Sequence, residues 1–219
     1  EFMRETMKGF CRVGVFYGTT LVATAQAALR PLRFGTYWYI PRGALMDYED
    51  QQVVRDVHMA LKNYFKGRAG AAFLRVDPNL TKSEQAVATL GSLGAKEAGH
   101  FVQAQRVWMA EIQDSEEAQF AWLRERGMSK SVPGSVRRGV REGVTCRAST
   151  DPKDFKEFMK LLGDLHVRKG GIGKRDDSYY EKQFSHLAPA GIEQLFVAEH
   201  SGKVLAMNLM ATYNKEAGY

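Results

Sequence analysis

Two hairpin patterns with the same spacing, one near each end of the 219 residues, limit the folds open to this chain. In residues 11–29, apolar side chains alternate up to a turn at Gly18 and resume at Leu21. In the second, Leu195 to Ala211, Gly202 occupies the turn. This repeat, with helical patterns between the strand patterns, predicts an α/β fold of mixed sheets flanked by helices. We expect two related domains, over residues 1–100 and 101–219.

Further strand and helix patterns fill the interval between the hairpins. Asp50 precedes a run of apolar residues at helical spacing, and Thr81-x-x-Glu84 has the form of a capping box. Strands are predicted over residues 35–40, 71–76 and 101–112. Helices are predicted over residues 51–66, 81–94, 116–126, 134–142, 151–165 and 178–187.

The positive charge of the chain is concentrated in two segments. The net charge is +6, with a pI near 9.3. Residues 124–147 carry +5 and residues 166–175 carry +4, so the remainder is −3. A solvated helix face explains such a segment. A phosphate-binding surface explains it equally, because arginine presents forked donors that match phosphate oxygens.

Several classes of protein are disfavoured by what the sequence lacks. No apolar run approaches the roughly 18 to 20 residues of a membrane span, and no secretory signal is seen. Two isolated cysteines favour the cytoplasm over a disulfide scaffold. Neither a metal-ligand cluster, a phosphate loop nor a hydrolase nucleophile elbow is present, so no metal and no cofactor are expected.

Basic and tyrosine side chains supply the candidate binding residues. Arg137 and Arg141 lie one helical turn apart, and Lys130 stands just upstream, so the three could meet a diphosphate or an RNA backbone. Tyr179 and Tyr180 open the next predicted helix but one, where a pair of tyrosines also fits a core residue beside a rim residue.

An ordered series of short motifs resembles the FemABX family of peptidoglycan bridge aminoacyltransferases. It begins with Tyr37-Trp38-Tyr39-Ile40-Pro41-Arg42-Gly43 and continues with Ala72-Phe73-Leu74-Arg75-Val76-Asp77-Pro78. The basic stretch Ser135 to Val144 follows, then Gly171 to Tyr180 and the second hairpin. The series covers most of the chain from about residue 11.

The resemblance implies two tandem GNAT-like domains and a specific reaction. An amino acid is transferred from aminoacyl-tRNA to the stem-peptide amine of UDP-MurNAc-pentapeptide or lipid II, with possible peripheral contact at the inner membrane face. By position, Arg137, Arg141, Lys130, Tyr179 and Tyr180 would bind the precursor. Members usually have further N- and C-terminal segments, the latter with a catalytic lysine, so we expect the catalytic residue to lie outside these 219 residues.

Two other functions remain open at this stage. Arg168-x-x-Gly171-x-Gly173 matches the pyrophosphate loop of coenzyme A-dependent N-acyltransferases, although that loop needs a strand before it and a helix is predicted here. A non-catalytic RNA- or phosphate-binding module would explain the basic segments as well.

Overall fold

The computed structural model describes residues 1–7, 9–100, 102–104, 109–171, 175–214 and 216–218. Its contacts divide the chain into two compact units. One comprises Met3–Val107 with Glu1, and the other Trp108–Tyr219 with Phe2. The predicted domain boundary near residue 100 stays a prediction.

Strands and helices alternate along the described residues. The strands are β1 (Cys11–Tyr17), β2 (Thr20–Pro31), β3 (Thr36–Ile40), β4 (Leu45–Met46), β5 (Leu74–Val76), β6 (Thr145–Ser149), β7 (Glu193–His200), β8 (Lys203–Tyr213) and β9 (Glu216–Gly218). The helices are α1 (Phe2–Thr6), α2 (Gln51–Phe65), α3 (Glu84–Ser92), α4 (Glu116–Glu125), α5 (Ser131–Arg141), α6 (Pro152–Arg168) and α7 (Asp177–Leu187). A short 3₁₀ turn lies at Arg68–Gly70.

The sheet of the first unit has the order β1-β2-β3-β5, with β4 paired to β2. All of its pairs are antiparallel except β3 with β5, which is parallel. Two parallel strands need a crossover connection, and α2 lies in it. The Asp50 side chain begins α2 by accepting hydrogen bonds from the backbone N–H groups of Gln52 and Val53.

One face of this sheet forms the core with α2. Trp38 and Ile40 of β3 are buried there against Val57, Leu61 and Phe65 of the helix. Side chains alternate between the two faces of a strand, so the neighbours of Trp38 and Ile40 lie on the opposite face. That second face carries polar groups, which are described below.

The second unit has a four-stranded antiparallel sheet in the order β6-β7-β8-β9. Its core contains Phe155 of α6, Phe184 of α7, and Leu195 and Val197 of β7. Asp151 caps α6 by accepting from the Lys153 N–H at 2.7 Å, as its position before Pro152 suggests.

Most predicted elements are present, with four corrections. The strand expected over 101–112 is wrong for the described residues 102–104 and 109–112, which form none; the others lie outside the described residues. The cap of α3 is Ser83, whose Oγ accepts from the Ala86 N–H at 3.1 Å, and not Thr81. Helix α5 begins at residue 131 rather than 134, and β6 was not predicted at all.

Candidate functional site

Helix α5 presents a stripe of three cations. At 3.6 residues per turn, Lys130, Arg137 and Arg141 fall within about 40° of each other around the helix axis. The backbone of Lys130 is already helical, with φ −58° and ψ −22°, so its side chain continues the same face. All three are exposed, and no item of salt bridging joins them to an acid among the described residues. We call these three residues the α5 basic stripe.

The remaining arginine of the helix is engaged elsewhere. Arg138 Nε lies 2.6 Å from Glu142 Oε1, a pair one turn apart. Within the stripe, the Arg137 guanidinium carbon lies 5.9 Å from the ring centre of buried Phe120 in α4. This cation–π contact restrains the side chain of Arg137 and leaves N–H groups available for an anion.

The tyrosine pair opens α7 in two different environments. Tyr180 packs against the core of the second unit, and its hydroxyl accepts from the Arg175 N–H at 3.5 Å. The Tyr179 ring carries the Arg175 guanidinium 4.4 Å from its centre. Tyr179 is therefore the more suitable of the two for a ligand contact, beside a cation that sequence analysis did not single out.

A buried carboxyl anchors the other end of α7. Glu193, the first residue of β7, is only 2% exposed and accepts a hydrogen bond from the Gln183 side chain. Burial raises the pKa of Glu193, although the bond from Gln183 opposes this rise. The contact fixes α7 on the sheet one turn beyond Tyr179 and Tyr180.

The five predicted residues thus form two groups in the second unit, three on α5 and two on α7. The structure gives each group its local environment, and their role as a binding site stays a prediction. The glycine-rich connection follows helix α6, which ends at Arg168, so a helix and not a strand leads into it. Ile172 and Gly173 of that motif lie outside the described residues.

A polar cluster in the first unit was not predicted. The Tyr39 hydroxyl donates to Asp77 Oδ2 at 2.5 Å, and Arg75 Nε lies 3.7 Å from Asp77 Oδ1. Arg75 also donates to the carbonyl oxygen of His100 at 2.5 Å. Burial, followed by the bond to Asp77, raises the pKa of Tyr39 well above its ordinary value, so its hydroxyl stays protonated. Asp77 itself is partly exposed, with 25% of its side-chain surface accessible.

This cluster stands at the carboxyl ends of the parallel strands β3 and β5. Tyr39 pairs with Arg75 in register, and both lie on the face opposite the core residues of the same strands. The loops after parallel strands are frequent ligand sites in open α/β sheets. The alternation of polar and apolar residues in Trp38-Tyr39-Ile40 and Leu74-Arg75-Val76 was the available signal, but only the pairing of β3 with β5 brings them together.

The residues 3–188 match the model of the FemAB family. The chain belongs to the FemAB family. The resemblance predicted from the sequence motifs is thereby confirmed.

A curated relative agrees with this membership. This FemAB chain is 25% identical over 211 residues to the lipid II:glycine glycyltransferase of Staphylococcus saprophyticus. The alignment covers 90% of the chain and 48% of the relative.

A solved structure shows the same fold. The crystal structure of FemX superposes on 90% of this FemAB chain and 50% of its own with a TM-score of 0.69, at 22% sequence identity. This match and the two mixed sheets confirm the predicted fold class of α/β, GNAT-like architecture. The chain spans about half the length of the relatives it matches.

Two further searches of the described residues returned nothing. Across the ranges given above, no three His, Cys, Asp or Glu side chains are grouped as a metal site would require. Within the same ranges, no helix has the length and apolar character needed to cross a bilayer. The expectation that the FemAB chain uses neither metal nor cofactor stays a prediction.

Proposed function

We propose that this chain takes part in aminoacyl transfer from aminoacyl-tRNA to the stem-peptide amine of a peptidoglycan precursor, either UDP-MurNAc-pentapeptide or lipid II. The observation that carries the proposal is the family match over residues 3–188, together with a relative named for glycyl transfer to lipid II. The reaction belongs in the cytoplasm, where charged tRNA is available. It needs no separate cofactor, since the ester of aminoacyl-tRNA is already activated.

The α5 basic stripe is the proposed contact with the diphosphate of the precursor. Both acceptors contain a diphosphate, and three exposed cations along one helix face suit an extended anion. Arg137 is restrained by Phe120, so less conformational entropy is lost when it binds. Tyr179 with Arg175, and Tyr180 behind them, would contact the sugar or the adjoining phosphate.

The reaction forms an N–C bond and breaks the C–O bond of the ester. One proton leaves the amine, and the ribose hydroxyl of tRNA gains one. Positioning of a neutral amine and stabilisation of the oxyanion are the tasks left to the protein. In the first unit we assign Asp77 to attract the acceptor's ammonium group, because it is a partly exposed carboxylate held in place by Tyr39 and Arg75.

The role of Asp77 is tested by Asp77→Asn. We expect a raised KM for the acceptor, because the substitution removes the charge and retains the shape. Asp56→Asn is the matched control: Asp56 also accepts from a tyrosine, with Tyr17 Oη at 2.6 Å, but on α2. Equal effects of the two substitutions would remove Asp77 from the site.

The proposed function is tested by incubating the protein with a precursor and tRNA charged with a labelled amino acid. Mass spectrometry should find one aminoacyl residue added to the stem peptide, and ribonuclease treatment of the charged tRNA should abolish the product. If acetyl-CoA acylates the protein's substrate while every charged tRNA leaves it unchanged, the coenzyme A-dependent alternative replaces the proposal.

A further inference from the structure

Two connections meet at one end of the first unit. The β2–β3 turn, residues 32–35, is closed by the Leu32 N–H donating to the Gly35 carbonyl at 2.9 Å. Residues 66–73, between α2 and β5, run beside it. The Ala72 N–H donates to the Thr36 carbonyl at 2.9 Å, and Tyr37 stacks on Phe73 with ring centres 4.9 Å apart. We call residues 32–37 and 64–73 together the β2–β3 end.

The β2–β3 end exposes apolar side chains that a monomeric surface ordinarily covers. Phe34 at the turn is 83% exposed, and Phe73 is 50% exposed. Tyr64 and Leu32 are exposed by about two fifths each, at 41% and 38%. Clustered exposed apolar groups mark an interaction surface, whereas scattered ones do not.

Cations accompany these apolar groups without any acid. Arg33, Lys66 and Arg68 are exposed, and neither segment of the β2–β3 end contains Asp or Glu. The Arg33 guanidinium carbon lies 5.1 Å from the centre of the Phe34 ring, and that of Arg68 lies 3.8 Å from the Tyr64 ring. Aromatic and aliphatic groups interspersed with cations are typical of surfaces that contact the headgroups of a bilayer.

We infer that the β2–β3 end docks on the surface of an anionic bilayer. The apolar tips enter the headgroup region, and the cations contact lipid phosphates. RNA is the less suitable partner, because the rings that would stack on bases are already in use. Tyr37 and Phe73 stack on each other, and arginines cover Phe34 and Tyr64.

This docking goes beyond the proposed function and does not require it. It would hold the first unit where a lipid-linked acceptor resides. The test therefore uses vesicles without lipid II, so that it can fail or succeed whatever acceptor the enzyme takes.

The experiment measures partition of the protein onto vesicles of equal parts phosphatidylglycerol and phosphatidylcholine, by sedimentation. Phe34→Ala should lower the partition coefficient about tenfold, from the loss of one buried aromatic side chain. Lys66→Ala should lower it about fivefold, the contribution of one cation near an anionic surface. Vesicles of phosphatidylcholine alone should bind the parent protein more weakly.

Two control variants lie at the opposite end of the same elements. Phe16→Ala removes a ring that is 56% exposed beside the β1–β2 turn, and Arg55→Ala removes a cation near the start of α2. Both should bind vesicles like the parent. The inference is overturned if the parent does not bind anionic vesicles, or if the controls lose as much as Phe34→Ala and Lys66→Ala. It is also overturned if these two variants lose affinity for tRNA and keep that for vesicles.

Discussion

The double substitution Arg137→Ala, Arg141→Ala should weaken binding of UDP-MurNAc-pentapeptide. A hydrogen bond to a charged group contributes about 1.5–3 kcal/mol, and solvent around these exposed side chains places each at or below the lower end. The pair should therefore contribute roughly 1.5–3 kcal/mol. Since 1.4 kcal/mol is tenfold in affinity, Kd should rise about tenfold or more.

The assay is isothermal titration calorimetry at fixed ionic strength, because phosphate contacts weaken with salt. The control is Arg126→Ala, Arg138→Ala, which removes the same charge from the same basic segment. Arg126 covers the Trp122 ring at 3.9 Å, and Arg138 is paired with Glu142, so neither belongs to the stripe. A double variant of Arg137 and Arg141 that binds within about twofold of the parent, or no worse than this control, would refute the assignment.

Three other substitutions test the fold around the site. Leu61→Ala in the core of the first unit should lower the free energy of unfolding by about 2–5 kcal/mol in urea titrations, while Asn63→Ala on the exposed face should have little effect. Asp154→Asn should lower the urea midpoint at pH 7 and have no such effect near pH 2. The bond from Arg147 lowers the pKa of Asp154 from 3.8 to about 2, so its contribution is present above pH 3.8 and lost as the pH falls toward 2. Glu193→Gln should raise the midpoint at pH 8 more than at pH 4.5, because the raised pKa of Glu193 makes the carboxyl stabilising when protonated and progressively less so as the pH rises; a pH-independent difference would contradict this.

Elements with strong local signals were predicted well from the sequence. The two hairpins combine alternation with a glycine turn, and α2 combines a capping aspartate with apolar residues on one face. Strand β6 was missed because Thr145–Ser149 has no apolar alternation and is exposed over four of its five residues. As an edge strand it is held by pairing to β7 and by the ion pair of Arg147 with Asp154, which lie outside its own sequence.

The candidate site was predicted only in part, for a related reason. Spacing alone places Lys130, Arg137 and Arg141 on one face, because the helix repeat is local. The contact of Tyr39 with Asp77 joins residues 38 apart, and it depends on a parallel strand pair that no local pattern specifies. The exposure of Phe34 is likewise a property of tertiary structure, since an aromatic residue in a turn can be buried as readily as exposed.

Binding of the precursor is the most direct test of the account. UDP-MurNAc-pentapeptide would be titrated into the protein in a calorimeter, with UDP and acetyl-CoA in parallel. The account predicts binding that requires the pentapeptide, is weaker for UDP and is absent for acetyl-CoA. Heat from acetyl-CoA alone, or equal affinity for UDP and the whole precursor, would contradict it.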